Sequence, residues 1–164
     1  RRQRQMCIRD SLKFLLKSFV PLTDLLAKYL RPEPEDMKDP EFRAISTRLT
    51  LYTAAVAISQ VANHDKSGIF STGLIPDGDI AMNVNGDIGV TLRVRNHHMV
   101  TIKDRCDKPR AAMTFGSLEI AGQLLRGEVS AMGCICDGSI AMSGMVNMID
   151  NVNRILDRVS IYLA

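Results

Sequence analysis

The stretch Pro109-Arg-Ala-Ala-Met-Thr-Phe115-Gly-Ser117-Leu-Glu-Ile-Ala-Gly-Gln-Leu-Leu-Arg-Gly127-Glu-Val-Ser-Ala-Met-Gly-Cys-Ile-Cys136-Asp-Gly-Ser-Ile-Ala-Met-Ser-Gly144 decides how the chain folds. Ala111, Met113 and Phe115 alternate with other residues at the period of a strand. Ser117 then offers its hydroxyl to the free amides of a helix running from Leu118 to Arg126, with Glu119 favourably placed in the first turn. Leu124-Leu125 lies near the end of that helix and Gly127 stops it. A short turn feeds a last strand from Gly138 to Ser143, bracketed by Gly138 and Gly144. Beyond it, Met145, Met148, Ile149, Val152, Ile155, Leu156, Val159, Tyr162 and Leu163 form the apolar stripe of a closing helix. Asp150 and Arg154 sit four apart on its outer face, acid first, the favourable order for an ion pair.

Upstream, from Gly68, the period is two. Ile80, Met82 and Val84 alternate with polar or small residues, Asn85-Gly86 supplies a tight hairpin turn, and Val90, Leu92 and Val94 follow. Asn96-His97-His98 turns the chain again, and Val100 and Ile102 make the next strand. The pattern predicts an antiparallel meander with one apolar and one wet face. Before it, Asp39-Pro40-Glu41 starts a helix that ends near Asn63-His64. Phe42, Ile45, Leu49, Tyr52, Val56 and Ser59 mark one face of that helix, although residues 52–58 are apolar nearly all round.

Residues 31–40 are rich in proline and acids and read as a solvated linker without regular structure. The preceding segment, residues 11–30, repeats leucine and aromatic residues at helical spacing from Leu12 to Leu30, opposite Lys13, Lys17, Asp24 and Lys28. Pro21 either kinks one helix or opens a second. Such a segment packs on the domain's own sheet or lies on a membrane surface, the first being the commoner fate. Residues 1–10 resemble the translation of a sequencing adaptor, so the native start and anything before it are expected to be missing. Arg1, Arg2, Arg4, Arg9 and Asp10 account for the whole net charge of +3, and the basic balance therefore carries no message about nucleic acid or anionic lipid.

The remaining residues suffice for one domain with a sizeable core. A hydrophobic fraction of 46% and a charged fraction of 24% are ordinary for a globular protein, and no apolar run reaches the length of a membrane span. Methionines number nine against no tryptophan, an adaptable apolar filling. Apart from Cys7, the cysteines are Cys106, Cys134 and Cys136, a sparse set that suits a reducing, cytoplasmic setting.

Cys134-x-Cys136 with His97-His98 has the donors for a metal, and a strand would put both sulfurs on one face. Zinc sites favour two residues between the cysteines, so buried thiols and an exposed hairpin tip are the expected roles. Cys106 stands beside Arg105 and Lys108, cations that favour a reactive thiol, but in a polar turn that implies no cleft. Asp77-Gly78-Asp79 and Asp137-Gly138 read as turns. Catalytic residues, metal and cofactor are all expected to be absent.

Over residues 41–164 the order of elements resembles the sterol carrier protein 2 (SCP2-like) lipid-binding family. The resemblance rests on Gly68-Ile69-Phe70 at the first strand, Asn85-Gly86 in the hairpin and Thr114 ending the fourth strand, together with Leu124-Leu125-x-Gly127 and Gly138-x-Ile140-x-Met142-x-Gly144. It implies an α+β fold: a five-stranded, mainly antiparallel sheet covered by helices, with an apolar tunnel between them and no catalysis of its own. Family members bind sterols, fatty acyl chains or other lipids, and some serve as accessory proteins. Where many members carry an aromatic pair before the glycine that opens the last strand, this chain has Ile135 and Cys136. The converging apolar set expected to line the tunnel is Met82 and Met113 from the sheet, Ile120, Leu124, Val129, Met132 and Ile135 from the following segments, and Met142, Met145 and Ile149 beyond. A lipid, isoprenoid or similar apolar molecule is the expected partner, with a partner enzyme or a membrane contact through residues 11–30 as further expectations. A filled core serving only as a scaffold is the competing reading.

Overall fold

The computed structural model describes residues 2–163 and, among them, the side chains of 16–159, 161 and 162. It divides into two compact units, Arg1–Ser46 and Thr47–Ala164. The first holds helix α1 (Arg2–Leu30), which continues through Pro21, and a short 3-10 turn, Asp36–Lys38. That turn corrects the expectation of a structureless linker. It is held by the local acids and lysines, with Lys38 bonded to Glu35 at 2.8 Å and Lys28 paired with Asp36 at 3.3 Å. Tyr29 stacks on Phe42 with ring centroids 4.6 Å apart. The apolar stripe of α1 does not lose its contact with solvent: Leu16, Phe19, Leu22 and Leu25 are all exposed. Arg1 and the side chains of 2–15 lie outside the described residues, so the reading of residues 1–10 as an adaptor stays an expectation.

Helix α2 (Pro40–His64) crosses from the first unit into the second. It starts as the sequence predicts, with the Asp39 carboxylate accepting from the Glu41 amide at 3.0 Å. Its buried stripe is Leu51, Ala55, Ile58 and Ala62, spaced at helical repeats, whereas Ile45 and Val56 from the expected face are exposed. A helix that is apolar all round has no preferred face in its sequence. The small side chains of Ala55 and Ala62 allow the closest approach, and Thr101 donates to the Ala55 carbonyl at 2.8 Å.

Residues 66–73 form helix α3 (Lys66–Gly73), so Gly68-Ile69-Phe70 does not open the first strand. The Asp65 carboxylate accepts from the Ser67 and Gly68 amides, a strong N-cap that the period-two reading overlooked. Gly68 is buried against the last turn of α2, where a Cβ would collide with the Val61 carbonyl.

The sheet comprises β1 (Gly78–Val84), β2 (Gly89–Arg95), β3 (His98–Ile102), β4 (Ala111–Phe115) and β5 (Ile140–Gly144). Their spatial order is β3-β2-β1-β4-β5. The expected antiparallel meander holds for β1 to β3 and fails at β4, which lies parallel to β1 in the register Met82 to Met113 and Val84 to Phe115; β5, reached through two helices, pairs antiparallel with β4. Residues 103–110 make this crossover beneath the face expected to be wet. Thr91 donates to the Asp104 carbonyl at 2.7 Å, and Arg105 reaches the Val84 and Asp87 carbonyls. Ala81, Thr91 and Ala112 on that face are consequently buried.

Strand β3 also has its faces exchanged relative to the sequence reading. Met99 pairs with Val94 and points inward with Thr101, while Val100 is exposed on the outer face. The exchange follows from a two-residue turn at Asn96-His97, both with positive φ (49° and 59°). Asn85-Gly86, by contrast, sits within a four-residue connection in which only Gly86 has positive φ, at 71°. On edge strand β3 the Asn63 side-chain amide bonds both the Met99 amide and carbonyl, at 2.9 and 2.7 Å, shielding an otherwise open edge.

Helix α4 (Leu118–Leu125) is capped by the Ser117 hydroxyl as expected, and Gly127 leaves it at φ 73°. Residues 131–136 form helix α5 (Ala131–Cys136) where the sequence suggested only a turn. Helix α6 (Val146–Leu163) closes the fold, burying Met148, Ile149, Val152, Ile155 and Val159. Met145 and Tyr162 from its expected stripe are exposed, and the Leu163 side chain lies outside the described residues. Asp150 and Arg154 pair at 3.1 Å on the outer face. Helix α6 runs antiparallel to α3, with Asn147 bonded to the Leu74 carbonyl at one end and Arg158 and Tyr162 on Asp65 at the other.

Candidate functional site

The inner face of the sheet alternates Ile80, Met82 and Val84 on β1 with Met113 and Phe115 on β4 and Ile140 and Met142 on β5. Helices α2, α4, α5 and α6 arch over this face without filling it. Between them lies a cavity of about 410 Å³. Its floor is formed by Leu51 and Ile58 of α2 with Ile80, Met82, Met113 and Phe115 of the sheet. Leu124 and Leu125 of α4, Ile135 of α5, and Ile149 and Val152 of α6 make the walls. The rim is built from Ala131, Met142, Asn153, Leu156 and Asp157, all exposed to solvent.

Of the expected lining residues, Met82, Met113, Leu124, Ile135, Met142 and Ile149 meet around this space. Ile120 and Val129 are half-buried and pack on the core beside it instead. Met132 is 69% exposed and Met145 37% exposed, and neither lines the cavity. Met132 is expected inside only while residues 131–136 are read without helical period, and α5 turns it outward; Met145 precedes the first residue of α6, Val146, and so lies outside the helical stripe that the sequence reading gave it. Leu51 and Ile58 were overlooked because the face of α2 was misjudged. Asn153, Leu156 and Asp157 fall on the flank of the stripe of α6, where Leu156 alone carried an apolar signal.

The cysteine and histidine constellations are dispersed. On α5, two residues apart means nearly opposite faces, so Cys134 is buried and Cys136 exposed. The expectation of two buried thiols therefore holds for Cys134 and not for Cys136. Among the described residues no group of three or more His, Cys, Asp or Glu side chains is arranged to hold a metal ion. Cys106 borders an open hollow on the outer sheet face, where its thiol donates to the Asp79 carboxylate at 3.5 Å. Asp79 is in turn held by Arg93 through two hydrogen bonds of 2.9 and 2.8 Å, which keep its carboxyl below the usual range. Among the described residues no histidine lines this hollow, and the group that the Cys106 thiol faces is the Asp79 carboxylate. Asp77 accepts from the Asn96 amide and Asp137 from the Ser139 amide, both in turns.

A two-layer α+β domain with a five-stranded mixed sheet, helices on one face and an apolar hollow between the layers is the class of architecture that these observations define. Within that class the fold is that of sterol carrier protein 2. The sterol carrier protein domain 2 of Helicoverpa armigera superposes with a TM-score of 0.52 at 13% identity, covering 67% of this chain and 87% of that one. The UbiJ-SCP2 ubiquinone synthesis protein superposes with a TM-score of 0.51 at 8% identity, covering 70% of this chain and 98% of that one. No family model and no curated protein matches the sequence itself.

Proposed function

We propose that this chain binds and carries an apolar ligand, lipid or isoprenoid in type, in the cavity between sheet and helices, without catalysing a reaction. The observation that carries the reading is the cavity itself. At about 410 Å³ it holds on the order of a dozen water volumes, yet its floor and walls present only apolar side chains. Empty space of that character lowers packing energy without gain unless a ligand fills it. Its size also falls within the few hundred Å³ and above of small-molecule pockets. The space favours a carrier over a filled scaffold. The fold points the same way, and one structural neighbour is described as a ubiquinone synthesis protein, which keeps an isoprenoid among the candidate ligands.

Methionines suit such a site. Met82, Met113 and Met142 are unbranched and polarizable, so they reshape around ligands of varied outline. No helix among the described residues is long and apolar enough to cross a membrane. The exposed leucine and phenylalanine face of α1 serves, in this reading, as the contact with a membrane surface or partner enzyme where cargo is exchanged. The free cysteines suit a cytoplasmic setting. The test is extraction of the protein purified under native conditions, followed by mass spectrometry. Stoichiometric co-purifying lipid is the expected result, and an extract no richer than that of a protein lacking a cavity would contradict it.

A further inference from the structure

The two edges of the sheet differ in their protection. At β3 the Asn63 side chain occupies both the amide and the carbonyl of Met99, and Thr101 is tied to α2. At β5 no such cover is present among the described residues. Ladder bonds run from the Gly116 amide to the Ser139 carbonyl and from the Met145 amide to the Arg110 carbonyl, and Ala112 and Thr114 face Ser143 and Ala141 between them. The alternation of an antiparallel ladder then points the backbone groups of Ala141 and Ser143 toward β4 and those of Met142 and Gly144 outward. Residues Ala141 to Gly144 are all exposed. Exposed edge strands are ordinarily blunted with charge or proline. Here, from Val129 to Ile149, the sole charged residue is Asp137, and there is no proline. Apolar side chains stand around the edge instead. Met142 lies on it, Met145 and Val146 just beyond it and Met132 on the adjoining α5, between 37% and 69% exposed.

We propose that β5 is the contact through which two copies of this chain associate, joining their sheets edge to edge. The register centres on Ser143. A two-fold axis there sets Met142 opposite the partner's Gly144, and Gly144 opposite the partner's Met142, so that the outward amides and carbonyls of both strands meet. Glycine has no side chain and leaves room for the methionine. Ser143 lies opposite the partner's Ser143, where the two hydroxyls bond to each other. A second copy fits this edge better than a foreign strand. The strip carries no charge to select a different partner and none to repel its own copy. Pairing also withdraws Met142, Met145 and Val146 from water. The association goes beyond the carrier reading and does not depend on it, since the groups that pair belong to the strand edge and not to the cavity floor.

Sedimentation of the full chain across the micromolar concentrations at which small transient interfaces form tests the proposal. The parent should pass from monomer to dimer as concentration rises. Ser143→Lys and Ser143→Glu each set like charges across the axis, which opposes pairing. Because Ser143 is exposed, both variants should keep a cooperative melting transition, and each alone should stay monomeric over the same range. Mixed in equal amounts they should dimerise again, because lysine then faces glutamate. A variant that had merely lost its fold could not recover in this way. A parent that stays monomeric throughout overturns the proposal. A dimer that persists in both single variants also overturns it and puts the contact elsewhere. A mixture that remains monomeric overturns the pairing about Ser143.

Discussion

At the scale of single residues, two side chains on α6 separate packing from ligand contact. Ile149 is 2% exposed and borders the cavity, whereas Ile155 is fully buried and does not. Truncating a tightly packed isoleucine to alanine costs about 2–5 kcal/mol through lost contacts and the space left behind. A residue that already faces empty space has fewer partners to lose. Ile149→Ala should therefore destabilise the ligand-free protein less than Ile155→Ala, and should change ligand affinity more. Urea unfolding and binding titration on both variants check the order, and the reverse order would misplace the cavity wall. A second residue of interest is His97, held at φ 59° in the β2–β3 turn. A side chain there costs about 1–2 kcal/mol, which glycine avoids at some entropic expense. His97→Gly should stabilise the domain by about 0.5 kcal/mol or more, seen as a higher urea midpoint at unchanged slope. A lower midpoint would show that the imidazole makes a compensating contact.

At the scale of elements, legibility in the sequence followed the strength of the local signal. Strand β1 and helices α4 and α6 combine periodic apolar residues with caps or turns, and they stand where the sequence predicts. Helix α3 was missed because its eight residues carry little apolar period, and only the Asp65 cap announces it. The parallel β1–β4 pairing is a long-range choice invisible to any local pattern. It is set by a crossover whose residues look like an ordinary polar turn. The rotated face of α2 shows the same limit, since tertiary fit through Ala55 and Ala62 decided what propensity left open.

Gly68 and Asp65 make the α3 account testable. Gly68→Ala places a methyl against the Val61 carbonyl, and such overpacking costs about 1–3 kcal/mol. A loss below a few tenths would mean that α3 sits further from α2. Asp65 is held far below the usual carboxylate range by hydrogen bonds from Arg158, Tyr162 and the Gly68 amide. A carboxyl with a lower pKa in the folded state adds stability that is fully present above its unfolded pKa near 4 and is lost as the pH falls below it. Asp79 and Asp87 are lowered in the same sense, chiefly by Arg93 and Arg48. The protein should thus hold its stability from neutrality down to about pH 5 and lose it progressively below about pH 4. Asp65→Asn keeps a competent helix cap but removes the charge that pins α6 to α3. Its melting temperature at pH 7 should fall, and its acid dependence should be shallower. An unchanged slope would assign the acid sensitivity to Asp79 and Asp87 alone.

At the scale of the whole molecule, the sequence conveyed the layer architecture and much of the space enclosed. Met82, Met113 and Met142 were legible from the alternation of their strands and Ile149 from the stripe of α6, whereas Leu124 and Ile135 were expected there with the enclosed space that the family resemblance implies. Hidden from it were the contribution of α2 and the polar rim of α6, which depend on how helices rotate once packed. The central claim is that this interior is a binding site and not a packing defect. The direct measurement is fluorescence titration of the delipidated protein with an apolar naphthylamine probe, beside the variant Leu124→Trp, whose larger ring is aimed into the cavity from α4. The account predicts saturable binding of one probe per chain in the parent, and binding weakened about tenfold or more in the variant, with a cooperative melting transition retained in both. No saturable binding, or equal binding by the filled variant, would contradict it.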